Sequence, residues 1–461
     1  MQKSSLIVRL LVMTLLSVAS HVQQGHAATV QLLRDPESLE LLQHLGQPLI
    51  EAAGLAAQRP VQFHIILAPS VNAFALPNHH IVVNSGLLQT AQNPGEIVGV
   101  LAHELGHLAA GHAIQLQETA RNVSVRTLIT MAAGLVAGLA AKDGQIVGAT
   151  LMGGAASGQS TLLDTMRQKE HQADQLAIHY LSRAHLSSEG MVSFMERINR
   201  EQRLTVLPAP YLLTHPLNSQ RVIELRDLAQ AQQQRQPVQS VMDAEQQLFA
   251  RVQAKLTAIQ ATDPKQFARE LQQQMAQQPD TRHPLAQRYG LALAHRYAGE
   301  LNDALSMFNQ LLREQPDDPW LLRERALTYR EQGHLSQAEA DLRLALRHQI
   351  NHTDLRYHLA LVLSERKDPR AASHILRQLT LDDQEEASTF YLLGQVEEQL
   401  GRTGYSHLAL ARHAHLVMDL DASFWHYREA ARTLPVDAPE RHHLQSELAH
   451  VQKLRHERPQ R

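Results

Sequence analysis

Two histidines four residues apart, with a carboxylate directly after the first, form the part of this chain best suited to chemistry. They are His103, Glu104 and His107 in the order His-Glu-Leu-Gly-His. On a helix this spacing turns both imidazoles to nearly the same side, where they can bind one zinc ion. Glu104 could take a proton from a water molecule beside that metal. The pattern is typical of zinc peptidases, although five residues alone are weakly specific in a chain with 28 histidines.

A catalytic zinc also needs a third protein ligand and a fourth position open to water. Downstream, Glu170 and Asp174 stand one helical turn apart in Glu-His-Gln-Ala-Asp. Such a pair fits a metal ligand and a carboxylate that orients a histidine ring by accepting its other N–H. We therefore predict that His103, His107 and Glu170 bind one zinc ion per chain. Glu104 is the predicted catalytic base, and the alternative for Glu170 is a solvated charge on an amphipathic helix.

Other histidines near these motifs are not predicted to be ligands. His112 follows His107 by five residues, about 140 degrees round a helix, so it does not share the ligand face. We predict a solvent or packing role for it. His79, His80 and His171 are likewise predicted not to bind the metal.

The first residues have the order of a secretory signal peptide. Lys3 and Arg9 precede an apolar run from Leu10 to Ala19, and small residues follow. We predict that 1–27 is a signal peptide cleaved after Ala27 and that the mature chain is exported. The alternative is an uncleaved anchor, although the run is shorter than the roughly 20 residues that span a bilayer.

Composition excludes several classes of protein. The chain has no cysteine, which rules out both a disulfide framework and a lipid attachment site of the bacterial lipoprotein kind. Lysine and arginine total 43 against 46 acidic residues, and no basic stripe with interleaved aromatic residues stands out. We therefore predict no nucleic-acid partner.

Patterning along the 461 residues predicts a mainly α protein. Residues 28–228 mix helical patterns with short β-rich pieces, and we predict a mostly helical metallopeptidase domain with a small β-sheet. The other predicted segments are a glutamine-rich linker with connecting helices at 229–283, an α-solenoid of repeats at 284–440, and a C-terminal helix or tail at 441–461.

The solenoid prediction depends on a repeat that can be counted. Ala292, Ala326, Ala360 and Gly394 recur every 34 residues, with large apolar residues in the same register. This period is that of tetratricopeptide repeats, whose concave surface can hold a protein partner or an extended peptide. The alternative is a support without a ligand. After the fourth unit the phase resumes only 17 residues later, at Ala411, as if half a repeat were lost or converted to a lone helix.

An apolar segment rich in alanine and glycine runs from Leu128 to Gly158. Lys142 and Asp143 interrupt it, and neither half reaches the roughly 20 residues that cross a bilayer. We predict a small-residue helical hairpin that packs on the zinc helix, with at most peripheral membrane contact. The alternative is an inserted membrane anchor.

The sequence resembles the gluzincin metallopeptidases that include the HtpX-like and CAAX-prenyl-protease-like enzymes, and most closely their periplasmic BepA-like branch. The likeness covers nearly the whole mature chain. Its blocks are 72–77 with 81–88, 101–107, 170–174, and Thr214-His215-Pro216 with Arg221. The resemblance implies a periplasmic zinc endopeptidase that is also a chaperone. Its clients would be unfolded or stalled proteins, including outer-membrane β-barrel proteins, and the repeats could contact the machinery that assembles those proteins.

The resemblance also implies roles for two further residues and a strand. His215 would lie near the zinc, where it could donate to the developing oxyanion or occupy the fourth position and make the enzyme latent; a packing role is the alternative. Arg221 could stabilise oxyanion charge or bind a carboxylate, with a structural ion pair as the alternative. The strand at 72–77 could pair with an extended substrate unless it lies inside the sheet. Asn78 and His79 replace a glycine pair of the family, which puts the turn geometry in doubt.

Overall fold

The computed structural model describes residues 31–56, 59–112, 128–130, 132, 159–204, 210–217, 219–235, 243–277, 283–383 and 386–457. The predicted signal peptide lies outside the described residues, as does nearly all of the predicted hairpin at 128–158. Within the described ranges, no helix combines the length and apolar character that a bilayer span requires.

The part of the chain that carries the zinc motif is mostly helical with one small sheet. Its strands are β1 (Leu32–Leu33), β2 (Gln62–Ile66), β3 (Ala73–Leu76) and β4 (His80–Asn84). Its described helices are α1 (Pro36–Ala52), α2 (Ser85–Thr90), α3 (Pro94–Ala109), α4 (Gln159–Arg183), α5 (Glu189–Leu204), α6 (Pro210–Thr214) and α7 (Ser219–Arg235). The predicted fold class, mainly α with a small sheet, is confirmed.

The sheet has the strand order β1-β2-β4-β3, which places β3 at an edge of the described sheet. β3 pairs with β4 in the antiparallel direction, and β2 pairs with β4 in the parallel direction. The backbone N–H of Asn84 donates to the carbonyl of Asn72 at 2.9 Å. Because successive carbonyls of a strand point in opposite directions, the carbonyl of Ala73 faces away from β4. The edge of β3 is therefore free of sheet partners within the described residues.

The turn between β3 and β4 forms despite the missing glycines. Asn78 and His79 have φ values of 63° and 66°, which is the left-handed region. Asparagine enters that region more readily than histidine does. The register pairs Leu76 with His80 across this turn, so the strands keep their alignment while the turn residues carry the backbone strain.

Helix α3 carries the zinc motif, and its start and packing follow from local chemistry. The side chain of Asn93 caps the helix by accepting from the backbone N–H of Glu96, and Pro94 occupies the first turn. Gly106, between the two motif histidines, lies against α4. A β-carbon at Gly106 would lie 2.6 Å from the carbonyl oxygen of Ala173. Glycine thus lets α3 and α4 approach closely enough for Glu170 to reach both histidines.

The described residues from Asp243 onward form paired helices. They are α8 (Asp243–Gln260), α9 (Pro264–Gln277), α10 (Pro284–Tyr297), α11 (Leu301–Glu314), α12 (Pro319–Glu331), α13 (Leu335–His348), α14 (Thr353–Glu365), α15 (Pro369–Asp382), α16 (Ala387–Gln399), α17 (Thr403–Leu416), α18 (Leu420–Thr433) and α19 (Arg441–Glu457). The second helices of four successive pairs begin at Leu301, Leu335, Pro369 and Thr403, at the 34-residue spacing of the sequence repeat.

Tight turns inside each pair require a left-handed residue. Gly299, Gly333 and Gly401 supply it with φ values of 77°, 82° and 69°. In the third pair the equivalent residue is Lys367, at a φ of 63°. A residue with a β-carbon is disfavoured there by roughly 1 kcal/mol, so the third turn is less favourable than its neighbours.

The shift of phase after the fourth unit is accommodated by helix α17. This helix packs against α16 on one side and α18 on the other, and Ala411 is fully buried. Met418 forms a left-handed turn before α18 at a φ of 62°, as the glycines do in the regular pairs. Helix stacking therefore continues without interruption through the shift.

Helix α8 connects the two parts through a buried ionic network. Its Phe249 and Leu256 belong to the core of the peptidase part, and Ala258 belongs to the core of the repeats. The ammonium of Lys255 lies 2.5 Å from Asp35 and 2.9 Å from Glu324. A further contact joins α1 to α8, Arg251 with Glu37, and two contacts join α1 to the first repeats, Tyr289 with Glu37 and Trp320 with Glu40. The first repeats are thus anchored on the part of the chain that carries the zinc motif. Tyr289 and Trp320 of these repeats are already hydrogen-bonded to α1.

Candidate metal centre

Four buried side chains converge at the junction of α3, α4 and the segment after α6. They are His103 and His107 on α3, Glu170 on α4, and His215 just beyond α6, and one ligand atom from each lies within 4.8 Å of the others. Nε2 of His103 is 3.0 Å from Nε2 of His107 and 3.2 Å from Nδ1 of His215. Oxygens of Glu170 lie 3.4 Å from Nε2 of His103, 3.2 Å from Nε2 of His107 and 3.3 Å from Nδ1 of His215.

These distances fit the donor set of a tetrahedral metal. Zinc bonds to nitrogen and oxygen are about 2.0–2.2 Å long, so tetrahedral donors should lie about 3.3–3.6 Å apart. Five of the six pairs of residues have donor atoms 3.0–3.4 Å apart. The sixth pair, His107 and His215, has ring centroids 5.1 Å apart. Three imidazoles and a carboxylate at this spacing can hold one divalent metal ion.

Asp174 and Arg221 support this set from behind. Oδ1 of Asp174 lies 2.9 Å from Nδ1 of His103, which leaves Nε2 of that ring directed at the cluster. The Arg221 guanidinium contacts both oxygens of Asp174, with Nε at 2.6 Å and Nη2 at 2.8 Å, and its Nη1 lies 2.8 Å from Glu170. Arg221 is buried. The geometry supports the ion-pair alternative for this residue, because both carboxylates engage its guanidinium.

The charges of the cluster are those of a site that holds a cation. Burial alone would raise the pKa of Glu170, but His215, His103 and His107 hold it well below its usual value. Burial lowers the pKa of His107 to about 4. Burial also acts to lower the pKa of His103, but Asp174 and Glu170 outweigh it and raise that pKa to about 9. Without a metal, the carboxylates therefore retain a proton on one ring, and a divalent ion would supply that positive charge instead.

Glu104 lies beside the cluster without a fixed partner. Its side chain is fully buried, and Oε1 is 3.3 Å from Nε2 of His215. Among the described residues neither of its carboxylate oxygens accepts a hydrogen bond. A buried carboxylate without donors is unfavourable unless something else occupies its acceptor sites. A water molecule next to a metal in the cluster would do so.

His215 connects the cluster to the edge of the sheet. Its Nδ1 faces the other donors, and its Nε2 lies 3.3 Å from the carbonyl oxygen of Ala73 on the free side of β3. The ring packs on Tyr211, with centroids 4.7 Å apart. The sequence resemblance expected His215 near the zinc, and the structure places it within the donor set itself.

His112 contacts the cluster in a way that its spacing did not predict. Its Nδ1 lies 2.8 Å from Nδ1 of His107, and its Nε2 lies 3.3 Å from Oε1 of Gln172. Helix α3 ends at Ala109, so the angle of 140 degrees expected for a continuous helix does not apply. The predicted solvent or packing role is therefore incomplete. His112 lies behind one of the candidate ligands, and the end of the helix was the only sequence signal that could have revealed this.

The other histidines set aside as ligands lie outside the cluster. His79 Nδ1 is 3.0 Å from the carbonyl of Arg59, and His80 pairs with His64 across the sheet at 3.0 Å. His171 faces Glu224 on the surface. In the described part of the chain, none of the three joins the four converging residues.

The fold and the site together define a metallopeptidase domain with an His-Glu-x-x-His helix. Residues 36–229 match the model of peptidase family M48. The match spans the four converging side chains, Glu104, Asp174 and Arg221.

Similarity to characterised proteins extends into the repeats. The chain is 25% identical over 374 residues to the "Beta-barrel assembly-enhancing protease" of Yersinia pestis, covering 81% of this chain and 75% of that protein. It is 25% identical over 397 residues to the protein of the same name in Escherichia coli strain K12, covering 84% of this chain and 78% of that protein. Metalloprotease YcaL of the same strain is 29% identical over 174 residues, covering 36% of this chain and 62% of YcaL. Among solved structures, the match to the MamA protein covers 38% of this chain and 96% of the MamA chain, at 14% identity and a TM-score of 0.29.

Proposed function

We propose that this protein is an exported zinc endopeptidase whose metal is held by His103, His107 and Glu170. One observation carries the proposal: four buried donor side chains converge next to a buried carboxylate, Glu104, whose oxygens accept no hydrogen bond from the described residues. A zinc ion there would supply the Lewis acidity that polarises a peptide carbonyl and acidifies water.

Three residues around the metal have separate roles in the proposed reaction. Glu104 takes a proton from the attacking water at its carboxylate and passes it to the leaving nitrogen of the cleaved peptide. Asp174 holds the ring of His103 in the tautomer that presents Nε2 to the metal. Arg221 places one positive charge between Asp174 and Glu170, which reduces the repulsion between two buried ionised carboxylates.

His215 regulates access to the site in this proposal. With its Nδ1 among the donors, His215 would occupy the fourth position of a bound metal and exclude the water that Glu104 would activate in the open site. The enzyme is then latent until the segment after α6 moves His215 away. Nδ1 of His215 lies 3.2 Å from Nε2 of His103 and 3.3 Å from Glu170, which supports this closed form. A closed form also favours a second candidate function, a chaperone or scaffold whose zinc site is mainly closed.

The free edge of β3 is the proposed binding site for an extended substrate. Backbone pairing along this edge would give affinity with little dependence on side chains, which suits unfolded or stalled proteins. The carbonyl of Ala73, which an added strand would use, is the one that His215 contacts. A substrate strand would therefore compete with His215 for the same acceptor, and substrate binding would favour the open site.

The proposed clients and compartment follow from the relatives. Two of them are named as proteases that enhance β-barrel assembly. We propose that this chain works in the periplasm on outer-membrane β-barrel proteins that have stalled in assembly, with chaperone activity beside its protease activity. The repeats, proposed to extend over 284–440, would contact clients or the assembly machinery. Since the first repeats are occupied by α1, that contact would use the later ones.

The test is cleavage of an unfolded protein such as casein by the mature chain and two variants. We expect Glu104→Gln to lower the rate at least 100-fold, as loss of a general base does. We expect His215→Ala to raise the rate if the resting site is closed. Equal, metal-independent turnover by the mature chain and Glu104→Gln would refute the catalytic assignment. Cleavage by the mature chain that His215→Ala does not increase would refute the latency.

A further inference from the structure

We infer that His112 and Gln172 are positioning residues for the metal centre, because they fix the tautomer of His107. His107 can bind a metal through Nε2 only when its proton is on Nδ1. For His103 the group behind Nδ1 is a carboxylate, Asp174. Behind His107 the corresponding group is another imidazole, that of His112 at 2.8 Å. This inference rests on the proposed metal centre and adds to it the means by which its second histidine is oriented.

The side chains of His107, His112 and Gln172 form a chain of hydrogen bonds, and the amide of Gln172 at its end determines the direction of each one. An amide oxygen can only accept, so Oε1 of Gln172 accepts from an N–H at Nε2 of His112, 3.3 Å away. A neutral imidazole with its proton on Nε2 has a lone pair on Nδ1. That lone pair accepts from the N–H at Nδ1 of His107. The lone pair of His107 on Nε2 then faces His103 and Glu170, where the metal would lie.

The placement of the pair on two elements makes it a brace between them. His112 follows the end of α3, where Gly111 turns the backbone at a φ of 70°. Gln172 is on α4, two residues after the candidate ligand Glu170. The contact therefore links the segment after the zinc helix to the helix of the third ligand, beside the rings it orients.

Substitutions that keep or remove an acceptor separate this role from simple packing. His112→Gln retains an amide oxygen that can accept from His107, whereas His112→Phe keeps the ring shape without an acceptor. Gln172→Glu can only accept, as the assignment requires, whereas Gln172→Lys can only donate. His171→Phe is a matched control on α4, since His171 is exposed and faces Glu224.

The measurement is the zinc dissociation constant of the full mature chain, by competition with a chelator, with the melting temperature of the metal-free protein as a check on folding. We expect His112→Phe and Gln172→Lys to weaken zinc binding, about 10- to 100-fold for the former. His112→Gln and Gln172→Glu should stay closer to the unsubstituted protein, and His171→Phe should equal it. Equal affinity of His112→Phe and the unsubstituted protein, or of His112→Phe and His112→Gln, would overturn the inference. If His103→Ala binds zinc as well as the unsubstituted protein, the metal centre itself is wrong.

Discussion

Removal of the ammonium of Lys255 is expected to destabilise the whole chain. Lys255 is 1% exposed and lies 2.5 Å from Asp35, 2.9 Å from Glu324 and 3.3 Å from Glu37. Burial alone would lower the pKa of Lys255, but Asp35 and Glu324 raise it well above its usual value, so the side chain stays charged. In Lys255→Met the methionine fills similar space, while three buried carboxylates lose a shared cation.

Loss of one partner from a buried ion pair costs about 3–5 kcal/mol, because the other charge remains buried without compensation. We expect Lys255→Met to lower the free energy of unfolding by about that amount in a urea titration at neutral pH. Trp320 reports on the transition, since it is buried at this junction and contacts Glu40. Lys265→Met, at an exposed position of α9, is the control and should change stability by less than about 0.5 kcal/mol.

A double-mutant cycle tests whether the loss comes from the ion pair. Glu324→Gln combined with Lys255→Met should be less destabilising than the sum of the single changes, by about 1–3 kcal/mol. Strict additivity would show that the two side chains do not interact. A free energy of unfolding for Lys255→Met within about 1 kcal/mol of the unsubstituted protein would show that the buried ammonium does not stabilise this junction.

Three further outcomes are expected. Lys367→Gly should raise the free energy of unfolding by about 0.5–1 kcal/mol in urea, and Gly333→Ala should lower it by a similar amount, because both turns are left-handed; the same sign for both changes would contradict this. Burial lowers the pKa of His64 and of His80 to about 4, so stability should be complete above pH 6.5 and fall as the pH drops toward 4, where the unfolded chain binds more protons. In thermal melts, the melting temperature of His64→Gln should fall less steeply between pH 6.5 and pH 4 than that of the unsubstituted protein. An equal fall would show that His64 does not contribute to the pH dependence of stability. Asp174→Asn should weaken zinc binding about 10- to 100-fold in a chelator competition, and unchanged affinity would show that Asp174 does not orient His103.

Residues that act through a local pattern could be predicted from the sequence. The spacing of His103 and His107 places both on one face of a helix, and Glu170 and Asp174 have the same spacing on a second helix. The 34-residue period fixes the repeats, since each unit buries the same small residues. For these features, the order of residues and the regularity of helices were sufficient.

Features that depend on where a helix ends or on distant packing could not be predicted in this way. His112 reaches His107 because α3 stops at Ala109, and the His-Glu-x-x-His spacing does not itself mark that end. Lys255 reads as a solvent-facing charge in a polar helix, yet it is buried by contacts from residues 35–37 and 324. The role of Arg221 was open between an oxyanion and an ion pair, and only the distances to Asp174 and Glu170 favour the second.

The most direct test of the metal centre is a crystal structure of the zinc-loaded mature chain with anomalous data at the zinc edge. We expect one anomalous peak per chain, about 2.0–2.2 Å from Nε2 of His103, Nε2 of His107 and a carboxylate oxygen of Glu170. In the resting protein, Nδ1 of His215 should complete the tetrahedron. A peak elsewhere, or no zinc bound among these side chains, would contradict the central claim.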